Sequence, residues 1–190
     1  MNLPLPLTIR QRGESEIHIN ARYATRPMEV PIYWDWRLSI LDNNESAWEL
    51  ESIHHKLFLE NKPEQIGTFS ISHGLNFVTI NRSWLQRIWG DNKINCRLGI
   101  GIIIAHPESE IRGLKFNENG GLFDLGYFLT GPSAVLGVSK RMELFNNLFA
   151  NLEMKLSLAI ADVPIVNGSA SVYNTAFHLV FGLGYAFIIK

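Results

Sequence analysis

Tyr173 to Phe187 reads YNTAFHLVFGLGYAF, and its residues sort by parity. Tyr173, Thr175, Phe177, Leu179, Phe181, Leu183, Tyr185 and Phe187 occupy every second position. Between them stand Asn174, Ala176, His178, Val180, Gly182, Gly184 and Ala186. A period of two puts the first set on one face of a β-strand and the second on the other. One face is large and apolar; the other is small or polar.

The same split recurs towards the N-terminus. Leu152, Met154, Leu156, Leu158 and Ile160 oppose Glu153, Lys155, Ser157, Ala159 and Ala161. Cys96, Leu98, Ile100, Ile102 and Ile104 oppose Asn95, Arg97, Gly99 and Gly101. Phe69, Ile71, His73, Leu75 and Phe77 oppose Ser70, Ser72, Gly74 and Asn76, and Ile32 to Ile40 alternates in the same way around Asp35 and Arg37. A weaker strand sets Ile17, Ile19 and Tyr23 against His18, Asn20 and Arg22. Trp48 to Glu60 carries Glu49 and Glu51 on its polar side, and Gly126 to Ser139 is extended without a clear choice of face. About eight strands result, and the pattern predicts an antiparallel up-and-down β-barrel spanning residues 1–190 as one domain, with residues 1–14 irregular.

The connections alternate between the two ends. Asp42 to Ala47, Gly90 to Lys93 and Lys140 to Asn147 fall at one end. Asn61 to Gln65, Asp162 to Ser169 and the long glycine-rich stretch Pro107 to Leu125 fall at the other, expected to face outward.

Composition narrows the class. Charged residues make up 18% of the 190, against 46% hydrophobic and 11% aromatic. Ordinary soluble domains carry roughly 25% charge. Lys plus Arg number 17 and Asp plus Glu 18, so no charge excess points to nucleic acid. Cys96 stands alone, which excludes an internal disulfide and a cysteine-based metal cluster. No cofactor is expected, because the short Gly99-x-Gly101 and Gly182-x-Gly184 runs lack the strand-to-helix setting of a nucleotide loop. Met1 to Glu16 contains prolines and no continuous apolar core, so it is no secretory signal, and the expectation is that a leader has been removed.

Alternation alone does not say which face points inward. The interior of an eight-stranded barrel is only just filled by side chains, too narrow for the large apolar face. The small and charged face fits, with Arg22, Asp35, Arg37, Glu49, Glu51, Arg97, Glu153 and Lys155 paired in the lumen. The expectation is therefore a transmembrane barrel with its apolar face in lipid. Trp36, Trp48, Trp84 and Trp89 would form one aromatic girdle and Tyr23, Tyr127 and Tyr173 the other. A soluble lipocalin-like binder, with the apolar face around a cavity, is the alternative.

Read this way, the chain resembles the small outer-membrane barrels of OmpA/OmpX type and, more distantly, the PagL-type lipid A deacylases. Its closing stretch FHLVFGLGYAFIIK is similar to their terminal strand, although Phe187 is followed by Ile188, Ile189 and Lys190 where an aromatic end is usual. The resemblance implies the outer membrane of a Gram-negative bacterium, with membrane lipid and lipopolysaccharide as partners. It also implies a possible second role, as an acyl hydrolase acting on lipid A through an outward Ser and His.

Candidates for that chemistry lie in WELESIHHKLFLE, Trp48 to Glu60. If Trp48 and Leu50 meet lipid, Ser52, His54 and Lys56 share their face, and hairpin geometry sets His54 opposite His73. A hydroxyl beside an imidazole is the pattern of an activated nucleophile. The order Ser52-x-His54 in the first half of the chain departs from the His-x-Ser order, nearer the C-terminus, of the deacylases. The bland alternative is a set of half-polar rings at a membrane interface. Glu51 and His55 are expected inside against Ser70, Ser72 and Asn76, and His178 as a hydrogen-bonded lumen residue. His106, beside Pro107, has no recognisable metal-binding partners in sequence.

Overall fold

Long alternating segments with turn residues between them can bury one face only by pairing edge to edge, and twelve antiparallel strands do so here. This computed structural model describes residues 1–43, 45–90, 92–117 and 119–187. The longest strands are β5 (Ser46–Leu59), β6 (Ile66–Trp89), β7 (Asn92–Ala105), β10 (Phe128–Phe145), β11 (Leu148–Ile165) and β12 (Gly168–Tyr185). They pair successively up and down in the order β12-β11-β10-β7-β6-β5. Between β7 and β10, β8 (Glu108–Ile111) and β9 (Leu114–Lys115) form a small hairpin that leans on β6. The stretch read as an outer loop is thus partly strand, and β10 runs on to Phe145 through residues expected to be a turn.

The N-terminus was expected to be irregular and is not. Leu5–Gln11 forms β1, with Leu7 and Ile9 fully buried. Two prolines at positions 4 and 6 obscure this alternation in the sequence, yet Pro6 takes its place in the ladder opposite Asn20. β1 pairs with β12 on one side and with β2 (Ile17–Ala21) on the other. Only Arg22 separates β2 from β3 (Tyr23–Ala24), which pairs with β5. The Arg22 carbonyl accepts the Glu60 amide at 2.9 Å, so the sheet meets itself and closes at this end.

At the opposite end the wall is built differently. After an excursion over residues 25–33, β4 (Trp34–Asn43) pairs with β5 alone among the described strands. β12 beyond Phe177 pairs with β11 alone. Side chains crossing the interior tie β4 to the far wall, Asp35 to Lys155 and Arg37 to Glu153.

The faces follow from burial. Leu179, Phe181 and Leu183 are 75%, 68% and 67% exposed, Leu152 is 45% exposed, and Leu156 is half-buried between its ladder partners Leu136 and Phe177. With Leu38, Ile40, Ile80, Ile100 and Met154, these side chains coat the outside of the end that holds the short turns. The interior there is ionic. Arg37, Arg97 and Lys155 interlock with Asp35, Glu49, Glu51 and Glu153. Lys155 Nζ donates to Glu51 at 2.6 Å and also reaches Asp35, while Arg97 Nη1 donates to Glu153 at 2.5 Å. Asn81 and Ser83 each add a 2.9 Å bond, to Glu51 and Glu49. Buried charges persist where every member has partners, as here.

At the other end the polarity is reversed. Leu7, Ile9, Ile17, Phe69, Ile71, Ile111 and Val163 fill the interior, while Arg10, Glu16, His18 and Asp162 stand outside. Several expectations fail for this reason. Arg22 is exposed and Tyr23 buried, and Phe69, Ile71, Leu75 and Phe77 face in rather than out. Trp36, Trp48, Trp84 and Tyr173 are exposed, Trp36 near the start of β4 and away from the short turns. The Trp89 side chain and residues 188–190 lie outside the described residues.

Candidate functional site

Strand register assembles a groove on the outer face where the two polarities meet. Parity in β5 turns both Ser52 and His54 outward, and the ladder places Trp34 opposite His54 on one side and Asn76 on the other. The indole of Trp34 stacks on the His54 ring, 5.4 Å between centroids and 13° from parallel. Asn76 Oδ1 lies 2.8 Å from His54 Nδ1, so the amide oxygen accepts the ring proton and leaves Nε2 as the basic nitrogen. That Nε2 is buried and has no hydrogen-bond partner. Pro31, His73 and Tyr127 complete a groove of about 390 Å³ that Ser52 also lines.

His54 was expected opposite His73. The ladder gives it Asn76 instead: the register of Phe58 with Ser70 would set Gly74 opposite, one residue beyond His73, and the β6 bulge between Ile71 and Leu75 adds two more. Gly74 makes the bulge possible at φ +117°, a conformation unfavourable for other residues. A Cβ there would lie 2.3 Å from Asn76 Oδ1 and 2.6 Å from His54 Nδ1, so the same glycine also admits the histidine–asparagine contact. All three predicted site residues still line one groove, although Ser52 and His54 are not hydrogen-bonded to each other.

No protein family matches the sequence, and no curated protein or solved structure matches it either. A serine hydroxyl, an imidazole with a free basic nitrogen, and an amide fixing the tautomer are the three parts of a nucleophile–base–orienter set. Substrate-free sites of this kind are often loose and tighten on binding.

The remaining candidates fall elsewhere. Lys56 is buried beneath the 25–33 excursion and donates to the Glu29 carbonyl at 2.7 Å. His55 points inward and bonds Asn2 Oδ1 at 2.9 Å, with its ring 5.1 Å from that of His178. His178 in turn bonds Ser157 Oγ at 2.8 Å. Glu51 and His55 thus find partners other than Ser70, Ser72 and Asn76. Sequence reasoning missed Asn76 as an orienting residue, and it missed a second cluster above the groove. There, Glu108 accepts from Ser72 and lies 2.8 Å from His73 Nδ1.

Proposed function

We propose that this chain is an integral β-barrel of a bacterial outer membrane, embedded by the end with the apolar exterior, and that its lumen conducts nothing wide. The reversal of inside and outside polarity along one continuous sheet carries this reading. Water favours the apolar-in arrangement and lipid the apolar-out one, so a barrel with both stands in both solvents, and in lipid the one-sided edges of β4 and of β12 beyond Phe177 must meet to close the wall. Counting β2, β3 and β4 as one interrupted pass and β7 with β8 as another, and setting aside the two-residue β9, gives eight passes, the smallest number usual for such barrels. Along β12 the apolar exterior from Tyr173 to Tyr185 rises about 30 Å at an ordinary strand tilt, against a hydrocarbon band of about 25 Å. A lipocalin-like binder needs those side chains around a cavity, and they are exposed. Outer-membrane lipid and lipopolysaccharide are the corresponding neighbours.

Labelling tests this reading. In a Cys96→Ser background reconstituted into lipid vesicles, cysteines at Leu179 and Phe181 should resist a membrane-impermeant maleimide. Cysteines at Ser171 and His18 should react. All four should react in denaturant. Equal rates at Leu179 and Ser171 in vesicles would sink the membrane reading, since a water-exposed side chain cannot be shielded.

A second reading rests on the free Nε2 of His54. We infer an acyl-ester hydrolase whose groove opens among exposed apolar side chains, where a lipid chain can approach without leaving the bilayer. Ser52 attacks the ester carbonyl, His54 takes its proton and returns it to the leaving alcohol, and water then releases the acid. With a lipid A ester or a short-chain chromogenic ester, Ser52→Ala should abolish turnover. His54→Ala should lower kcat by about 10²–10⁴-fold. Wild-type rates in Ser52→Ala would exclude this chemistry and leave the membrane reading intact.

A further inference from the structure

Two irregularities face each other across adjacent strands above the groove. On β6 the bulge at His73 and Gly74 breaks the ladder, and opposite it His106 and Pro107 break the run from β7 into β8. The His106 amide holds the two together by donating to the Gly74 carbonyl at 3.1 Å. Their side chains converge with that of Glu108. One ligand-capable atom of each of His73, His106 and Glu108 lies within 4.8 Å of the other two. The imidazoles of His73 and His106 are 4.9 Å apart, and Tyr127 packs edge-on against His106 at 5.0 Å.

The hydrogen bonds account for only part of this cluster. Glu108 is satisfied by His73 and Ser72. His106 is 93% buried, counting from its 7% exposure, and its Nδ1 has no hydrogen-bond partner. A buried ring nitrogen without a partner is costly. Two imidazoles and one carboxylate are also the donor set that suits a borderline divalent ion, Zn²⁺ above all, rather than Ca²⁺ or Mg²⁺, which take all-oxygen shells.

We propose that His73, His106 and Glu108 bind a divalent transition-metal ion of the zinc class at the rim of the groove. Bonds of 2.0–2.1 Å in a tetrahedral shell set the donors about 3.3 Å apart, so the cluster must tighten slightly. His73, with half its side chain in solvent, is free to make that adjustment. Ser72, which already donates to Glu108, would orient the carboxylate as an outer-shell partner. Three protein ligands leave a fourth position for water or for an anionic group of a molecule in the groove, which His73 and Tyr127 both line. The site stands independently of the proposed Ser52 chemistry.

The test uses the whole chain in detergent, stripped with chelator and titrated with Co²⁺ as a spectroscopic stand-in for Zn²⁺. One equivalent should produce the visible bands of tetrahedral cobalt, and Zn²⁺ should displace them. His73→Ala, His106→Ala and Glu108→Gln should each weaken binding at least about 10-fold, and Ser72→Ala by about 10-fold. His18→Ala, at the other exposed histidine–glutamate pair, should leave it unchanged, as should His54→Ala. His73→Ala is the least disruptive variant because the residue is exposed, and a heat-modifiability gel confirms that each variant is folded. Absence of cobalt bands at one equivalent, or bands that survive both His73→Ala and His106→Ala in folded protein, would overturn the proposal.

Discussion

Lys155→Met should destabilise the barrel by about 3–5 kcal/mol, the usual cost of leaving buried charges without their partner. Lys155 is fully buried, with Nζ on both Asp35 and Glu51 and Glu153 at 3.8 Å. Methionine keeps the volume and removes the cation, so buried Asp35 loses its ion pair while Glu51 and Glu153 are left to share Arg37 and Arg97. The loss has a second component peculiar to this chain. Because β4 pairs among the described strands with β5 alone, the Asp35–Lys155 contact also holds that strand in the wall. Urea titration of folded protein in lipid vesicles, followed by tryptophan fluorescence, gives the number. Adding Asp35→Asn to Lys155→Met should restore part of the stability, and no recovery would show that the network acts through packing rather than charge.

Leu179→Arg should cost about 2–4 kcal/mol in vesicles, while Ser171→Arg should cost close to nothing. Both side chains point outward from the same strand, with Leu179 midway between Tyr173 and Tyr185. Under the proposed membrane reading, only the solvent they meet distinguishes them. Lipid penalises a guanidinium near its midplane and water does not. If both substitutions are equally mild under the same titration, the apolar exterior faces water, and the proposed role falls with it.

The strands were legible because alternation survives every context, and the sheet follows it closely from Trp34 to Tyr185. The facing was legible only in half the molecule. Ile17, Tyr23, Phe69 and Ile71 alternate with polar residues just as Leu152 and Phe181 do, yet they face the other way. A signal for the difference was present. In β11 the apolar residues sit at even positions from Leu152 to Ile160 and at odd ones from Val163 to Ile165, with Asp162 taking an even place. In β12 the parity changes between Val172 and Tyr173. A change of parity within an unbroken ladder marks a change in which kind of side chain faces inward rather than a change of direction, and reading it would have moved Arg22 outside.

The site shows the same division. Ser52-x-His54 was readable because two positions along a strand share a face. Asn76, His106 and Glu108 were not, because their placement depends on a bulge whose position alternation does not encode. Gly74 after a histidine, and Pro107 after another, were the local hints that the ladder breaks there. Pro4 and Pro6 gave the opposite impression, suggesting irregularity where β1 pairs on both sides.

The way β2 and β3 bridge β1 to β5 has a consequence for survival outside a cell. An extracellular protease needs an extended, unpaired run of backbone, and fibril growth needs an open edge. Where the sheet closes on itself it offers neither, so under the proposed outer-membrane location digestion of intact cells should nick the chain within the excursion over residues 25–33 and leave the closed end as one resistant body.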